Sequence, residues 1–355
     1  MYLITDWFKR HFSNPEVVFL AVVLIAVFTV VLVFGDILGP VIASIIVAYL
    51  LEGIVKVMER HRVPRLLAVV LVFTVFMLAL VVVMLGLIPL LSSQLTELVQ
   101  QIPSFLARGQ EVMMRLPERY PEIVSAEQVN EVITVLRREM TLFGQRVLTL
   151  SLTSVGGLIS VLLYLVLMPI LVFFFMKDKH RILAWLLRYL PSDYKLAQQV
   201  WQDVDAQIAN YIRGKFWEIL IIWGVCFVTF SYFGLDYAML LGFLVGLSVL
   251  IPYVGAAVVT IPVYLIAWFQ WGWSAEFLYV AVAYLVIQIL DGNVLVPVLF
   301  SEVVNLHPVA IITAILIFGG FWGLWGVFFA IPLATLVQAV LSAWPRLGAR
   351  SGSTA

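Results

Sequence analysis

The sequence predicts an all-α polytopic integral membrane protein with about eight membrane segments, two of them re-entrant hairpins, and a projecting helical extramembrane insert. Of the 355 residues, 63% are hydrophobic and 12% are charged, and the mean hydropathy is +1.07. A soluble domain is typically about 45–50% apolar and about 25% charged. The chain therefore has too much apolar surface for a single core, and its long apolar runs are read as membrane segments.

Eight apolar runs approach or exceed the roughly 20 residues that a spanning helix needs. They are 16–34, 37–57, 65–90, 151–176, 216–235, 237–271, 276–299 and 308–344. The predicted regions are an interfacial segment (1–15), the first three spans (16–90), the insert (91–150), the fourth span (151–177), cytoplasmic amphipathic helices (178–215), a C-terminal membrane core (216–345) and a cytoplasmic tail (346–355).

Basic residues near the spans predict the orientation. Lys and Arg cluster before the first run, between residues 56 and 65, and between residues 177 and 215. These clusters share one side if 16–57 and 65–176 each cross out and back, and the positive-inside rule makes that side the cytoplasm. No Lys or Arg occurs from 216 to 345. Both termini are predicted to be cytoplasmic, with an even number of crossings.

The insert continues the helical pattern of the third span. A helix from Arg65 to Gln101 would be about 55 Å long, against a hydrocarbon core of about 30 Å. Ser125 and Gln128 have the spacing of a capping box, and Val132 and Met140 are among the apolar residues that follow at helical spacing. We expect a projecting helical hairpin that serves packing and oligomer contacts or acts like a receptor.

Several functional classes are disfavoured. The chain has four His, one Cys and no net formal charge, and it contains no HExxH, GxSxG or P-loop motif. We expect no catalytic residues, no cofactor, no metal site and no nucleic-acid partner. Cys226, which lies in an apolar run, is interpreted as a small buried or lipid-facing residue.

The C-terminal core contains two interrupted apolar runs, and broken helices at corresponding places indicate a transport site. The interrupting residues are Pro252, Gly255 and Pro262 in the first run, and Gly319, Gly320, Gly323, Gly326 and Pro332 in the second. They predict a hairpin entering from outside at 237–271 and another entering from inside at 308–344. Ordinary kinked spans are the alternative.

Asp291 is the principal candidate for the transport site. It lies about fifteen residues into the run 276–299, where a charged side chain costs roughly 2.5–3.5 kcal/mol to insert. Gly292, Asn293 and Pro297 follow and predict a loosened helix. A helix-end acid near the headgroups is the alternative for Asp291. His307 either caps the second hairpin or titrates near neutral pH.

Several stretches resemble the autoinducer-2 exporter family of bacterial membrane transporters, and most closely its PerM-type permeases. They are YLLE (49–52), FFFMKDK (173–179), NYIRGK (210–215), SVLIPYVGAAVVTIP (248–262), DGNVLVPVLFSEVVNLHP (291–308) and FGGFWGLWGVFFAIPLATL (318–336). The resemblance implies a multi-pass protein of the bacterial inner membrane that moves a small solute, either autoinducer-2-like or exchanged with protons or sodium. The resemblance does not identify a specific substrate.

The residues themselves favour a transporter of a small neutral or cationic solute. An anionic solute would find no Lys or Arg between 216 and 345. Asp291, the one acid in a broken span, suits proton or sodium coupling. We expect a homo-oligomer in the lipid bilayer, with a pentamer among the options. The alternatives are a passive oligomeric pore and a membrane scaffold that transports nothing.

Overall fold

The computed structural model describes residues 15–115, 117, 125–152, 155–188, 195–252, 254–300 and 307–343. All regular structure within these ranges is helical. The elements are α1 Pro15–Arg60, α2 Arg65–Val82, π1 Val83–Leu87, α3 Ile88–Met114, α4 Ala126–Leu152, α5 Val155–Lys177, α6 Lys179–Leu187, α7 Lys195–Phe233, α8 Ala238–Ser248, α9 Val254–Trp271, α10 Ala275–Leu290, π2 Asp291–Leu295, α11 Val296–Phe300 and α12 Pro308–Ala343.

The chain forms two compact units. Unit 1 comprises Met1–Phe73, Val166–Glu218 and Asn293–Ala355, and unit 2 comprises Thr74–Leu165 and Ile219–Gly292. Within unit 1, α12 packs on α1; within unit 2, α3 packs on α4 and α8, and α9 packs on α8 and α10.

The all-α membrane architecture is confirmed. Five helical stretches of the described residues are long and apolar enough to cross a bilayer. They are Ile37–Arg60, Arg65–Met114, Asp205–Phe233, Val254–Trp271 and Ala275–Phe300. Shorter apolar helices are found at Tyr164–Lys177, Ala238–Ser248, Val309–Gly323 and Trp325–Gln338.

The division of the N-terminal region into two spans is wrong. The runs 16–34 and 37–57 both lie in α1, a single helix of 46 residues that continues through Pro40. Glycine and proline are tolerated in membrane helices because neighbouring helices, hydroxyl side chains or ordered waters satisfy the backbone groups that they free. An unbroken helix cannot return to its starting side, so the predicted out-and-back pair does not form. A single crossing by α1 would place its two ends on opposite sides of the membrane, which no longer supports a cytoplasmic N terminus.

Residues 215 and 216, where the fifth span was predicted to begin, lie inside one helix. Helix α7 has 39 residues and runs unbroken from Lys195 to Phe233, so the second amphipathic helix and the fifth span are one element. The first amphipathic helix corresponds to α6, a nine-residue helix. The predicted interfacial segment and C-terminal tail lie almost entirely outside the described residues.

The insert agrees closely with its prediction. The helical path from Arg65 continues to Met114, a stretch of 50 residues that is about 75 Å long. The Gln128 backbone N–H donates to Ser125 Oγ (3.2 Å), and the Ser125 N–H donates to Gln128 Oε1 (3.1 Å). The capping box is therefore confirmed. The buried stripe of α4, however, contains Val129 and Ile133, whereas Val132 is exposed.

Two π-helical segments share one sequence cause. Each has five residues and contains a glycine, Gly86 in π1 and Gly292 in π2. Each is followed by a helix whose second residue is proline, Pro89 in α3 and Pro297 in α11. Proline cannot donate a hydrogen bond to the carbonyl four residues earlier. The widened turn before it changes the hydrogen-bond register while the helix continues.

Candidate transport site

Asp291 lies inside a continuous helical stretch and not at its end. Helix α10 contributes 16 residues before it, about 24 Å of helix, and the path continues through π2 and α11 to Phe300. Its carboxylate Oδ1 atom is buried. The predicted loosening of the helix is confirmed, because the π segment begins at Asp291. Such segments are frequent at functional sites.

A line of polar side chains leads from Asp291 along one face of α10. Residues 284, 288 and 291 are spaced four and three apart, so they share a face. Gln288 Nε2 donates to the Tyr284 hydroxyl (2.5 Å), and that hydroxyl lies 3.1 Å from Thr260 Oγ1 on α9. We call Thr260, Tyr284, Gln288 and Asp291 the polar chain. It lies within unit 2.

Apolar and aromatic groups surround Tyr284, the residue at the centre of the polar chain. Tyr284 is 1% exposed, and its ring contacts Phe230 on α7 and Tyr264 on α9 at centroid distances of 6.0 and 5.7 Å. Cys226 on α7 is fully buried and interacts electrostatically with Asp291 and Tyr284. The Asp291 carboxylate thus lies on the same helix face as two neutral hydrogen-bonding side chains, Tyr284 and Gln288.

The first predicted hairpin is present as a chain reversal. A Cβ atom on Gly255 would collide with the carbonyl oxygen of Ser248, although residues seven apart in a straight helix are about 10 Å apart. Pro252 lies in the turn between α8 and α9. Pro262 does not interrupt the chain, because α9 continues through it to Trp271. The prediction of a second break there is wrong.

Helix α8 reaches α7 through two glycines that the sequence reasoning overlooked. Gly242 and Gly246 are four residues apart, and a Cβ on either would approach α7 backbone atoms to 2.9 Å and 2.8 Å, respectively. Small residues at this spacing allow membrane helices to pack closely. The pattern GFLVG was the available signal.

The second hairpin is also a reversal, located at Gly323. This residue has φ 57° and ψ −132°, a conformation that favours glycine. A Cβ on Gly326 would collide with the Phe318 carbonyl, and one on Gly319 would lie 2.8 Å from Val327 Cγ2. Gly320 faces open space. Pro332 is buried inside the second arm and does not break it.

The remaining predicted residues have local roles in unit 1. His307 Nδ1 accepts a hydrogen bond from the Val309 N–H (3.3 Å), and its carbonyl accepts one from the Ala310 N–H (2.8 Å). The capping role of His307 is therefore confirmed. Asn293 is exposed in π2, and Pro297 is exposed in α11. Of the predicted site residues, Pro252, Gly255, Pro262 and Asp291 lie in unit 2, and the others lie in unit 1.

Sequence reasoning missed a buried ion pair in unit 1. Lys215 Nζ lies 2.7 Å from Glu218 Oε2, with the two side chains 6% and 2% exposed. The ammonium also lies 5.2 Å from the ring centroid of Phe300, and a Cβ on Gly214 would lie 2.6 Å from that ring. Lys215 was counted among the cytoplasmic basic residues. The sequence signal for this pair is Glu218, which lies three residues after Lys215 on an otherwise apolar helix face.

A second charge cluster in unit 1 joins two of the stretches quoted for the family resemblance. Arg65 Nη2 donates to both carboxylate oxygens of Glu52 (3.2 Å each) and to the Met176 carbonyl (2.8 Å), while Nη1 donates to Glu59 (3.1 Å). Lys179 Nζ lies 3.8 Å from Glu52. These contacts tie α1, α2, α5 and α6 together. Within the described ranges, no three His, Cys, Asp or Glu side chains converge to hold a metal ion.

Long apolar helices, two hairpins reversed at glycines and an acid within a broken helix are features of a membrane transporter. Residues 18–346 match the family described as AI-2E family transporter. The chain belongs to that family, and the resemblance seen in the sequence is confirmed.

Curated relatives cover nearly the whole chain. The protein named "Putative permease PerM" of Escherichia coli K12 is 44% identical over 343 residues, 97% of each chain. "Putative transport protein YueF" of Bacillus subtilis 168 is 25% identical over 345 residues, 93% of this chain and 92% of its own. "AI-2 transport protein TqsA" of Escherichia coli K12 is 24% identical over 311 residues, 86% of each chain. The protein is therefore a multi-pass membrane transporter of a small molecule, from a family of permeases and transport proteins.

Proposed function

We propose that this transporter moves a small neutral or cationic solute across the bacterial inner membrane and couples that movement to protons through Asp291. The supporting observation is the polar chain of Thr260, Tyr284, Gln288 and Asp291 inside an apolar bundle. Protonation of the carboxylate would remove its charge before the site faces the other side of the membrane. Hydroxyl and amide groups both donate and accept hydrogen bonds, so the neutral side chains on the same helix face suit either protonation state.

The chemistry of the core supports the proposed cargo. Between residues 216 and 345 there is no Lys or Arg, so an anion would depend on helix N-termini alone. Hydroxyl and amide groups suit a neutral polar molecule, and a carboxylate suits a cation. The AI-2 named for TqsA is one candidate cargo, and sodium is the alternative coupling ion.

The proposal includes an orientation and an assembly. The basic clusters at 56–65 and 177–188 support a cytoplasmic location for the α1–α2 junction and for α6, and Arg346 and Arg350 support one for the C terminus. A homo-oligomer belongs to the same proposal. Chemical crosslinking in native membranes counts its subunits.

The experiment uses purified protein in proteoliposomes with trapped pyranine, a dye that reports internal pH. Proton movement is recorded under imposed pH and sodium gradients, with and without a panel of small neutral and cationic solutes. We expect gradient-dependent proton movement with the unsubstituted chain. Asp291→Asn should reduce it at least about tenfold, the factor equivalent to ~1.4 kcal/mol.

Glu276→Gln is the matched control, because Glu276 is an exposed acid in the first turn of the same helix. It should transport like the unsubstituted chain. Undiminished proton movement in Asp291→Asn would eliminate the coupling role. Solute flux that ignores both gradients would instead support a passive pore, and no flux for any solute would support a scaffold.

A further inference from the structure

The extramembrane insert contacts the open end of the hairpin α8–α9, and this contact carries an inference that rests on the proposed function. Four residues of α3 form one stripe: Gln94, Glu97, Phe105 and Arg108. Their spacings of three, eight and three residues keep them within a narrow arc of the helix. We call this stripe the clamp face. The opposite side of α3 packs on α4, where Val99 Cγ1 is 3.3 Å from the position of a Cβ on Gly144.

One end of the clamp face holds the start of α8. The backbone N–H of Leu240 donates to Gln94 Oε1 (2.9 Å). Leu240 is the third residue of α8, and the N–H groups of a first helical turn have no partner within their own helix. A side chain of α3 therefore satisfies a donor that the short helix cannot satisfy itself.

Charge and strain mark the turn just before α8. Tyr237 has φ 59°, a left-handed conformation that is uncommon for a tyrosine. Burial, followed by the nearby carboxylates of Glu97 and Asp236, raises the pKa of Tyr237 to about 12. The Tyr237 side chain is buried in this turn, directly before the first residue of α8.

The other end of the clamp face holds the last turn of α9. Arg108 Nη1 donates to the Phe269 carbonyl (2.8 Å), and the Phe105 and Phe269 rings stack with centroids 4.6 Å apart. The last carbonyls of a helix lack partners within it and carry partial negative charge, so a guanidinium is a favourable cap.

Gln270 ties the two arms of the hairpin together at the same place. Its Nε2 donates to the Gly234 carbonyl (2.8 Å), and its Oε1 accepts from the Asp236 N–H (2.9 Å). The end of α9 and the turn before α8 thus form one joined structure. The clamp face contacts the end of α9 at Phe269 and the first turn of α8 at Leu240.

We propose that Gln94, Phe105 and Arg108 are positioning residues, through which the insert fixes the hairpin α8–α9 beside the polar chain during transport. The hairpin supplies Thr260 to that chain. Releasing its open end displaces Thr260 relative to Tyr284 and slows transport, although none of the three α3 residues touches the polar chain. The insert is thereby a working part of the transporter.

The first measurement is the distance distribution between two nitroxide labels in a Cys226→Ala background, read by pulsed electron resonance. The labels replace Val112, exposed on α3, and Trp273, which is 84% exposed just after α9. We expect a narrow distribution with the clamp intact. Arg108→Met and the double variant Gln94→Leu/Phe105→Ala should broaden it.

The second measurement is pyranine-reported proton movement in the same variants without labels. Arg108→Met should slow it about tenfold, as expected for loss of one hydrogen bond from a charged group. Arg108→Lys should restore most of the rate and the narrow distribution, because lysine can also donate to the Phe269 carbonyl. Arg138→Met, an equal charge change at an exposed residue of α4, should alter neither.

The two measurements separate failure of this inference from failure of the proposed function. An unchanged distance distribution in both clamp variants would overturn the inference, and so would a full transport rate despite a broadened distribution. Undiminished flux in Asp291→Asn would overturn proton coupling through Asp291, while the clamp variants would still decide this inference. A loss of thermal stability in Arg108→Met with unchanged distances and rate would show a merely structural contact, which also overturns it.

Discussion

Units 1 and 2 each contain a hairpin whose arms meet at a glycine, but they accommodate buried charge in different ways. In unit 1, Lys215 and Glu218 neutralise each other at 2.7 Å. In unit 2, Asp291 shares one face of α10 with the neutral side chains of Tyr284 and Gln288, and it interacts electrostatically with the Cys226 thiol. Both arrangements reduce the cost of placing an ionisable group among apolar helices.

The difference bears on what each site can do. A closely paired lysine and carboxylate form a neutral unit, and changing the charge of either member leaves its partner buried and uncompensated. A carboxylate among neutral groups can take up or release a proton without stranding a paired cation. We therefore expect the unit 1 pair to stabilise the fold and the unit 2 chain to serve coupling.

The largest expected effect comes from breaking the pair in unit 1. Lys215→Met alone and Glu218→Leu alone should each lower the free energy of unfolding by about 3–5 kcal/mol, because each leaves a buried charge unpaired. The double variant should recover most of that loss and retain gradient-driven transport. The thermal unfolding midpoint in detergent, followed by the monodisperse fraction, measures the stability.

The double variant is the decisive sample in that series. Destabilisation equal to the sum of the two single variants would mean that the residues act independently and not as a pair. A stable double variant that no longer transports would give the pair a role in coupling, and the contrast between the two units would then be wrong.

A smaller effect is expected at the glycine of the second hairpin. Gly326→Ala places a methyl group against the Phe318 carbonyl, and forced overpacking of this kind typically costs about 1–3 kcal/mol. Gly320→Ala is the control in the same helix, since a Cβ there meets nothing within 4 Å. Thermal unfolding of both variants provides the comparison. Equal midpoints would mean that the two arms separate easily at Gly323.

Sequence reasoning succeeded where the cause is local. The capping box at Ser125, the cap at His307 and the loosened helix after Asp291 each depend on residues within a few positions of one another. The extended helix from Arg65 was also predictable, because its helical pattern continues beyond the length that a bilayer requires. In these places the backbone preference and the final structure agree.

It failed where tertiary partners decide. Pro262 and Pro332 looked like breaks, but both lie inside helices. The chain reverses instead at the predicted interruptions, in the turn that contains Pro252 and at Gly323. The sequence was divided into the runs 16–34 and 37–57, yet α1 continues through both of them and through Pro40. The pairing of Lys215 with Glu218 was missed because the boundary predicted from hydropathy, at 215/216, separates the two residues. A hydropathy profile cannot distinguish a charge buried against a partner from one that lies in water.

The smallest effect tests the polar chain itself. Tyr284→Phe removes the hydroxyl that Gln288 and Thr260 share, at a cost of about 1 kcal/mol for a lost buried hydrogen bond. If the chain supports the charge change at Asp291, proton movement should slow by about fivefold, the factor equivalent to that energy. Tyr264→Phe is the control, because its hydroxyl donates only a long 3.4 Å bond to the Ala281 carbonyl. Equal rates in the two variants would leave Asp291 acting without the chain, and the contrast between the units would then rest on the carboxylate alone.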